Sequence, residues 1–301
     1  MSQRIRTLTT PLETERFAWL DTIAEPLQAM LHTVFGSSTA GQQAKNMLNG
    51  VPMRHRIHPA LIILPLGAWT TAGLLDLLDI FTGRLGRSEY RKAADAAVAF
   101  GVVGALPAAA AGLADWTDVD GHPRRVGMAH ALLNSLAIGL YTTSLGLRLA
   151  QRRRAARGTA GIGYAVVMLS GSLGGEMVFN LGVNVTHQPQ PGVPDVSFDV
   201  LASADLSEGQ PVVVNVQQVP VILLRHGGDI FAVDAQCTHA GGPLNEGAFE
   251  NRTVQCPWHG SIFDLADGHP VQGPATTPLR TFHAIEDGGR IRLTPGNAAQ
   301  G

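Results

Sequence analysis

The chain has 301 residues, 22 Lys plus Arg against 24 Asp plus Glu, and a formal net charge of -2. That balance excludes the basic footprint of a nucleic-acid binder. Mean hydropathy is only slightly positive because apolar residues gather between Ile57 and Val183, so the chain reads as multi-domain.

No cleavable signal peptide is expected, since the first 20 residues carry Arg4, Arg6, Glu13, Glu15 and Arg16 and no apolar core. Residues 12–35 instead set Phe17, Leu20, Ile23, Leu27, Met30, Leu31 and Val34 at helical spacing. This predicts an amphipathic helix within an N-terminal segment, residues 1–50. It would lie on a membrane surface or pack against the C-terminal domain.

Residues 51–183 are expected to form an all-α four-helix transmembrane bundle. Four stretches reach the ~20 residues a bilayer crossing needs: Ile57–Phe81, Ala93–Ala114, Met128–Ala150 and Ala160–Val183. Small residues recur in Gly101–Gly104, Ala108–Gly112 and Gly171–Gly175, a spacing that lets membrane helices approach closely. His58-Pro59, Pro65-Leu-Gly-Ala-Trp69, Leu74-Leu-Asp76, Gly112-Leu-Ala-Asp-Trp116, Arg124-Arg-Val-Gly127 and His130-Ala-Leu-Leu-Asn134 together resemble a bacterial four-span membrane family of unknown function. That resemblance implies no activity.

A Pro-rich linker is expected over residues 184–195, its prolines favouring a semi-rigid spacer. Residues 196–301 then read as an all-β domain. Pro211–Val216, Val221–Leu224 and Asp229–Val233 are short β-branched runs, and Gly227-Gly228 and Asp287-Gly288-Gly289 mark hairpin turns. From Asp195 onward 12 acidic residues stand against 5 arginines and no lysine. Such a surface suits a basic patch on a redox partner protein, with plain solubility as the other account.

Within this domain lie the only two cysteines, in Cys237-Thr238-His239 and Cys256-Pro257-Trp258-His259. Each motif puts one thiolate and one imidazole on a short loop, the ligand pattern of a [2Fe–2S] centre with two Cys on one iron and two His on the other. Structural zinc is the alternative, but zinc sites usually pair Cys with Cys and His with His. The stretches Cys237-Thr-His-Ala-Gly-Gly-Pro-Leu244 and Cys256-Pro-Trp-His-Gly-Ser-Ile-Phe-Asp264, with Gly273-Pro274-Ala275, resemble the Rieske ferredoxin family. The resemblance covers about a third of the chain. It implies that Cys237 and Cys256 hold a buried iron, that His239 and His259 hold an outer one, and that Pro274 lies in a loop covering the cluster. The high-potential respiratory subtype carries a disulfide where Gly242 and Trp258 stand here, and a sulfur-bonding Tyr where Phe263 stands. Ser261 is retained, which implies a donor to a bridging sulfide. Fewer hydrogen bonds to sulfur imply the lower potential of a ferredoxin-type centre.

Traced through a bilayer, spans one and three begin where spans two and four end, and the Rieske domain emerges on that side. His58 and His130 share a depth near the starts of spans one and three, and Asn134 lies one turn beyond His130. Glu176 and Asn180 lie near the end of span four, and Asp115 ends span two. Three readings of this layer stay open. His58 and His130 are axial ligands of a haem b; or the layer binds a quinone or a metal, with Glu176 or Asp115 handling protons or ligation; or the groups bond only each other in a passive anchor. At the opposite end, Asp76 and Asp79 near Arg84 and Arg87 read as a salt-bridged helix end.

Nine basic residues follow spans one and three: Arg84, Arg87, Arg91, Lys92, Arg148, Arg152, Arg153, Arg154 and Arg157. The positive-inside rule therefore puts the Rieske head on the non-cytoplasmic side of a bacterial inner membrane. The lack of an N-terminal twin-arginine signal pulls the other way. The expected function is single-electron transfer by a membrane-bound Rieske [2Fe–2S] protein, to or from a haem b, a quinone or a redox partner protein. A Rieske oxygenase is disfavoured, because the residues after the linker leave no room for a catalytic domain with a mononuclear iron site. The alternative from another class is a non-redox transporter or sensor on which the Rieske head reports redox state.

Overall fold

The computed structural model describes residues 12, 14–82, 87–186, 193–194 and 196–296. The chain divides into two compact units, Met1–Gln42 with Ile57–Val183, and Gln43–Arg56 with Asn184–Gly301.

The first unit is helical, and six helices are described where four spans were expected: α1 (Trp19–Gly36), α2 (Thr39–Asn49), most of which belongs to the second unit, α3 (His58–Phe81), α4 (Arg87–Trp116), α5 (Gly121–Leu149) and α6 (Arg153–Phe179). The last four close a bundle in which α3 pairs with α4, α5 pairs with α6, and α4–α5 and α6–α3 contacts complete the ring. Among the described residues three helices are long and apolar enough to cross a membrane: α3, α4 from Glu89, and α6. The fourth expected span, α5, is as long but carries polar groups along its length, from His130 and Asn134 to Ser144 and Arg148. His130, Ser144 and Arg148 bond neighbouring helices, Ser144 Oγ donating to Ala156 O at 2.7 Å, while Asn134 bonds His130 within α5.

Glycines set how closely the helices approach. A Cβ at Gly104 would meet Leu64 at 3.0 Å and one at Gly112 the His58 ring at 2.9 Å, which accords with the small-residue reading of α4. Gly171 and Gly175 face open space instead, and Gly174 between them makes the close approach.

The two helix hairpins are structural repeats. Trp69 on α3 stacks on Tyr141 on α5, ring centroids 4.0 Å apart and planes 4° apart. Gly101 on α4 makes room for the Trp69 indole, and Gly163 on α6 does the same for the Tyr141 ring. Asp76 on α3 pairs with Arg148 on α5. Asp76 also reaches Arg157 on α6, while Arg148 reaches Asp95 on α4, so the cross-pairs match when the hairpins are exchanged. His58 and His130, Trp69 and Tyr141, and Asp76 and Arg148 are separated by one constant sequence interval. A single approximate twofold relation accounts for all of these contacts.

The expectation of a salt-bridged end at Asp76 and Asp79 is met with different partners. Arg148 is 2% exposed; Arg91 reaches Asp79 at 3.0 Å, Arg157 bonds Asp79 as well, and Arg153 reaches Asp95 at 2.9 Å. Arg84 and the side chain of Arg87 lie outside the described residues.

In the N-terminal segment α1 lies on the bundle. Leu20, Ala24 and Leu31 bury against Trp116, Val126, Met128 and Leu173. Gln28 Nε2 donates to the carbonyls of Trp116 and Val119 at the α4–α5 turn, and Arg125 Nε donates to Asp21 at 3.0 Å. Ile23, Met30 and Val34 of the expected amphipathic stripe are exposed, so α1 is apolar on two sides.

The second unit is an all-β fold with a helical strap from residues 43–56. β1 (Phe198–Ala202), β10 (Arg290–Pro295) and β9 (Phe282–Asp287) form one antiparallel sheet. β2 (Val212–Val216), β3 (Val219–His226) and β4 (Asp229–Asp234) form a second. The third runs β5 (Ala248–Glu250), β6 (Thr253–Gln255), β7 (Ile262–Asp264), β8 (Pro270–Gln272). The expected turns join β3 to β4 at Gly227-Gly228 and β9 to β10 at Gly288-Gly289, all four glycines at positive φ as tight hairpins require. Residues 187–192 and 195 of the expected linker, with the chain end after Gly296, lie outside the described residues.

Candidate functional site

The two Cys-His loops close alike. The Cys237 N–H donates to Gly242 O and the Cys256 N–H to Ser261 O, each at 2.8 Å. In return each cysteine carbonyl accepts from a glycine four residues on, Gly241 at 2.9 Å and Gly260 at 3.1 Å. Both glycines are left-handed (φ 78° and 73°), a conformation that costs other residues about 1–2 kcal/mol.

This closure turns the cysteines inward and the histidines outward. Cys237 and Cys256 are 1% and 3% exposed and belong to one core with Leu244, Val254 and Phe263. His239 and His259 are half-buried, ring centroids 4.8 Å apart and planes at 87°. The Cys237 thiol donates to Cys256, and the Trp258 and His259 N–H groups add to it, holding Cys256 at about 6 against the opposing effect of burial. Cys237, as donor and buried, is pushed up, although the His239 and Ala240 N–H groups favour its thiolate. Two adjacent sulfurs, each faced by two backbone N–H groups, with two imidazoles on the outer side, fit a cluster that needs thiolates within and imidazoles without.

A third loop ties the first two together. Ala275 N–H donates to Ser261 Oγ at 2.9 Å, Thr238 Oγ1 donates to Thr277 O at 2.7 Å, and Gln272 Nε2 donates to Gly260 O at 3.1 Å. Pro274 is buried in this loop. Phe263 is 0% exposed and offers no hydroxyl. Gly242 sits against Trp258, an added Cβ falling 3.2 Å from the indole and 2.9 Å from Cys256 Sγ. The positions that a disulfide would join are therefore adjacent, and an indole fills the space. Trp258 is 56% exposed and meets the His259 ring edge-on.

Sequence reasoning missed the strap. Asn46 Oδ1 accepts from the Gly273 N–H at 3.1 Å, Val51 packs at Gly273, and Asn49 is fully buried beside them. Two asparagines one helical turn apart in Asn46-Met-Leu-Asn49 were the available signal.

In the helical unit His130 Nδ1 donates to Ser170 O at 2.8 Å and Asn134 Nδ2 donates to His130 Nε2 at 3.0 Å. His58 Nδ1 donates to Ala108 O at 2.8 Å. Glu176 and Asn180 bond each other at the surface, and Asp115 is buried at the end of α4. The expected layer thus separates into an anchored histidine pair and an exposed Glu–Asn pair.

Residues 196–283 match the family described as Rieske [2Fe-2S] domain, and residues 54–187 match that described as Predicted membrane protein (DUF2231). The ferredoxin component of the naphthalene 1,2-dioxygenase system of Pseudomonas aeruginosa is 30% identical over 96 residues, 32% of this chain and 92% of that one. The 3-phenylpropionate/cinnamic acid dioxygenase ferredoxin subunit of Photorhabdus laumondii is 41% identical over 81 residues, 26% of this chain and 77% of that one. Among solved structures, the ferredoxin of carbazole 1,9a-dioxygenase from Nocardioides aromaticivorans IC177 is 28% identical, covers 34% of this chain and 99% of its own, and has a TM-score of 0.32. Through its C-terminal third the chain belongs to the Rieske [2Fe–2S] family, with a DUF2231 membrane domain preceding it in the same polypeptide.

Proposed function

We propose that the protein is a membrane-bound single-electron carrier in which Cys237 and Cys256 hold one iron of a [2Fe–2S] cluster and His239 and His259 the other. The observation that carries this is the matched pair of loops, with thiols buried and imidazoles half-exposed. When bound, the cluster supplies reversible one-electron chemistry at the low potential of a ferredoxin-type centre. The chain's own residues set the terms of that chemistry. Four N–H groups favour thiolate sulfur, Ser261 offers its hydroxyl hydrogen beside them, and Phe263 withholds one that a tyrosine would supply. His239 and His259, beside the exposed Trp258, form the face at which a partner exchanges electrons.

The relatives are named as dioxygenase ferredoxins. By analogy a soluble oxidoreductase is one class of partner, met here at a membrane surface. A haem or quinone in the bundle is the other. Positive charge after α3 and α5 favours a head outside the cytoplasm of a bacterial inner membrane. The test is electron paramagnetic resonance of the dithionite-reduced full-length protein. A Rieske-type signal is expected, abolished in Cys256→Ser and in His259→Ala. A signal that survives either change overturns the ligand assignment.

A further inference from the structure

We infer that the helical bundle is a second redox site, in which His58 and His130 are the two axial donors of one haem iron. This deepens the electron-transfer reading and rests on it.

Both imidazoles are prepared in the same way. Each Nδ1 lies 2.8 Å from a backbone carbonyl, Ala108 O for His58 and Ser170 O for His130. A carbonyl only accepts, so both Nδ1 atoms carry the hydrogen and both Nε2 atoms present a lone pair. Asn134 donating to His130 Nε2 agrees with that tautomer. A ring fixed through Nδ1–H to a carbonyl, with Nε2 as its remaining donor, is how proteins orient an imidazole that ligates metal; at His130 a metal would take the place of the Asn134 amide on Nε2. Each ring also lies against a glycine one helical turn beyond the carbonyl it bonds, Gly112 at 2.9 Å and Gly174 at 3.2 Å from an added Cβ. Any larger residue there would push the ring off its carbonyl.

The twofold relation between the hairpins decides how the donors meet. His58 and His130 sit on α3 and α5, which run in the same direction at opposite corners of the ring. Both lie eleven residues before the Trp69–Tyr141 stack, about 16 Å along their helices. The approximate twofold gives the two imidazoles matching places on the two hairpins, so a group that is itself symmetric would meet the same donor from each half.

Ligand count then selects the class of metal group. Among the described residues no cluster of three His, Cys, Asp or Glu is placed to hold a metal ion. Two imidazoles leave a bare transition ion short of the four ligands it usually takes. A porphyrin brings four donors of its own and needs just two more. A quinol is the competing ligand, since its hydroxyls could donate to the same two Nε2 atoms.

The experiment uses full-length protein made in haem-replete cells and purified in detergent. Haem per chain is read by pyridine haemochrome, spin state by optical and paramagnetic resonance spectra, and the Rieske signal is followed in every sample. The expected result is one low-spin haem per chain. His58→Ala and His130→Gly should each lower haem content at least tenfold or convert it to a high-spin form, with the Rieske signal unchanged. Added imidazole should restore the low-spin spectrum of His130→Gly, and His55→Ala should bind haem normally. Three outcomes overturn the inference: full Rieske signal without haem; low-spin haem persisting in both variants; or a copurifying quinone, without haem, that is lost in His58→Ala. A missing Rieske signal would sink the electron-carrier reading instead, while the haem band is read separately.

Discussion

In the β unit the loops beginning at Cys237 and Cys256 repeat the same hydrogen bonds and carry the same residue types. In the helical unit the two hairpins repeat the same contacts, yet they carry identical residues at one end and opposite charges at the other. His58 matches His130, whereas Asp76 matches Arg148 and Asp95 matches Arg157. The difference separates two uses of repetition. Opposite charges across an approximate twofold bind the halves to each other, since like charges there would repel. Identical donors gain nothing from each other, which is the ground for proposing a shared ligand. The cluster loops show the second use in a site whose family is known.

The sharpest way to break this comparison is to remove the glue. Arg148→Met leaves Asp76 and Asp95 with reduced pairing inside the bundle, and breaking a buried pair costs about 3–5 kcal/mol. Thermal unfolding in detergent should show a large loss for the bundle while the Rieske signal melts as before. An unchanged midpoint would mean that the charges do not hold the hairpins together.

Next in size is the equivalence of the cluster loops. Gly241→Ala and Gly260→Ala each force a left-handed position at about 1–2 kcal/mol. The two variants should accelerate cluster loss to similar degrees. A tenfold disparity in their loss rates would show that the loops are alike in form only.

Smaller again is Phe263→Tyr. One added hydrogen bond to sulfur, at about 1 kcal/mol, corresponds to a potential roughly 40 mV higher. A fall on redox titration would count against the account of the low potential.

The smallest effect lies on the acidic surface. Arg290 bonded to Asp199, and Ser203 and Arg225 bonded to Glu286, hold both carboxyls below their ordinary range. Folded values below unfolded ones give stability that is present above the unfolded range and lost as pH falls through the folded one. Because these groups are exposed, added salt should flatten the acid-side decline in melting temperature.

Much of this was legible in the residues. Cys-x-His and Cys-x-x-His name their chemistry because few other pairings use one thiolate and one imidazole per loop, and Gly-Gly turns name their hairpins. The helix identities were legible from apolar length. The repeat was not, because its marks are Asp against Arg and Trp against Tyr, and complementary residues do not look alike in sequence. The buried ion pairs were assigned to Arg84 and Arg87 by proximity along the chain, whereas three dimensions supplied Arg91, Arg148 and Arg157. For Ile23, Met30 and Val34 helical spacing identifies a stripe without saying which part of it is covered, and these three are exposed. The strap escaped notice because its partner lies 227 residues further on.

That strap fixes a parity. Asn46 precedes the membrane domain, Gly273 follows it, and the two are hydrogen-bonded in one compact unit. Whatever lies between them must leave a bilayer on the side from which it entered, so the number of crossings is even. Three apolar helices alone would strand the strap and its loop on opposite faces. The four-span expectation meets that parity only if α5, with its histidine, tyrosine and arginine turned toward neighbouring helices, crosses as well.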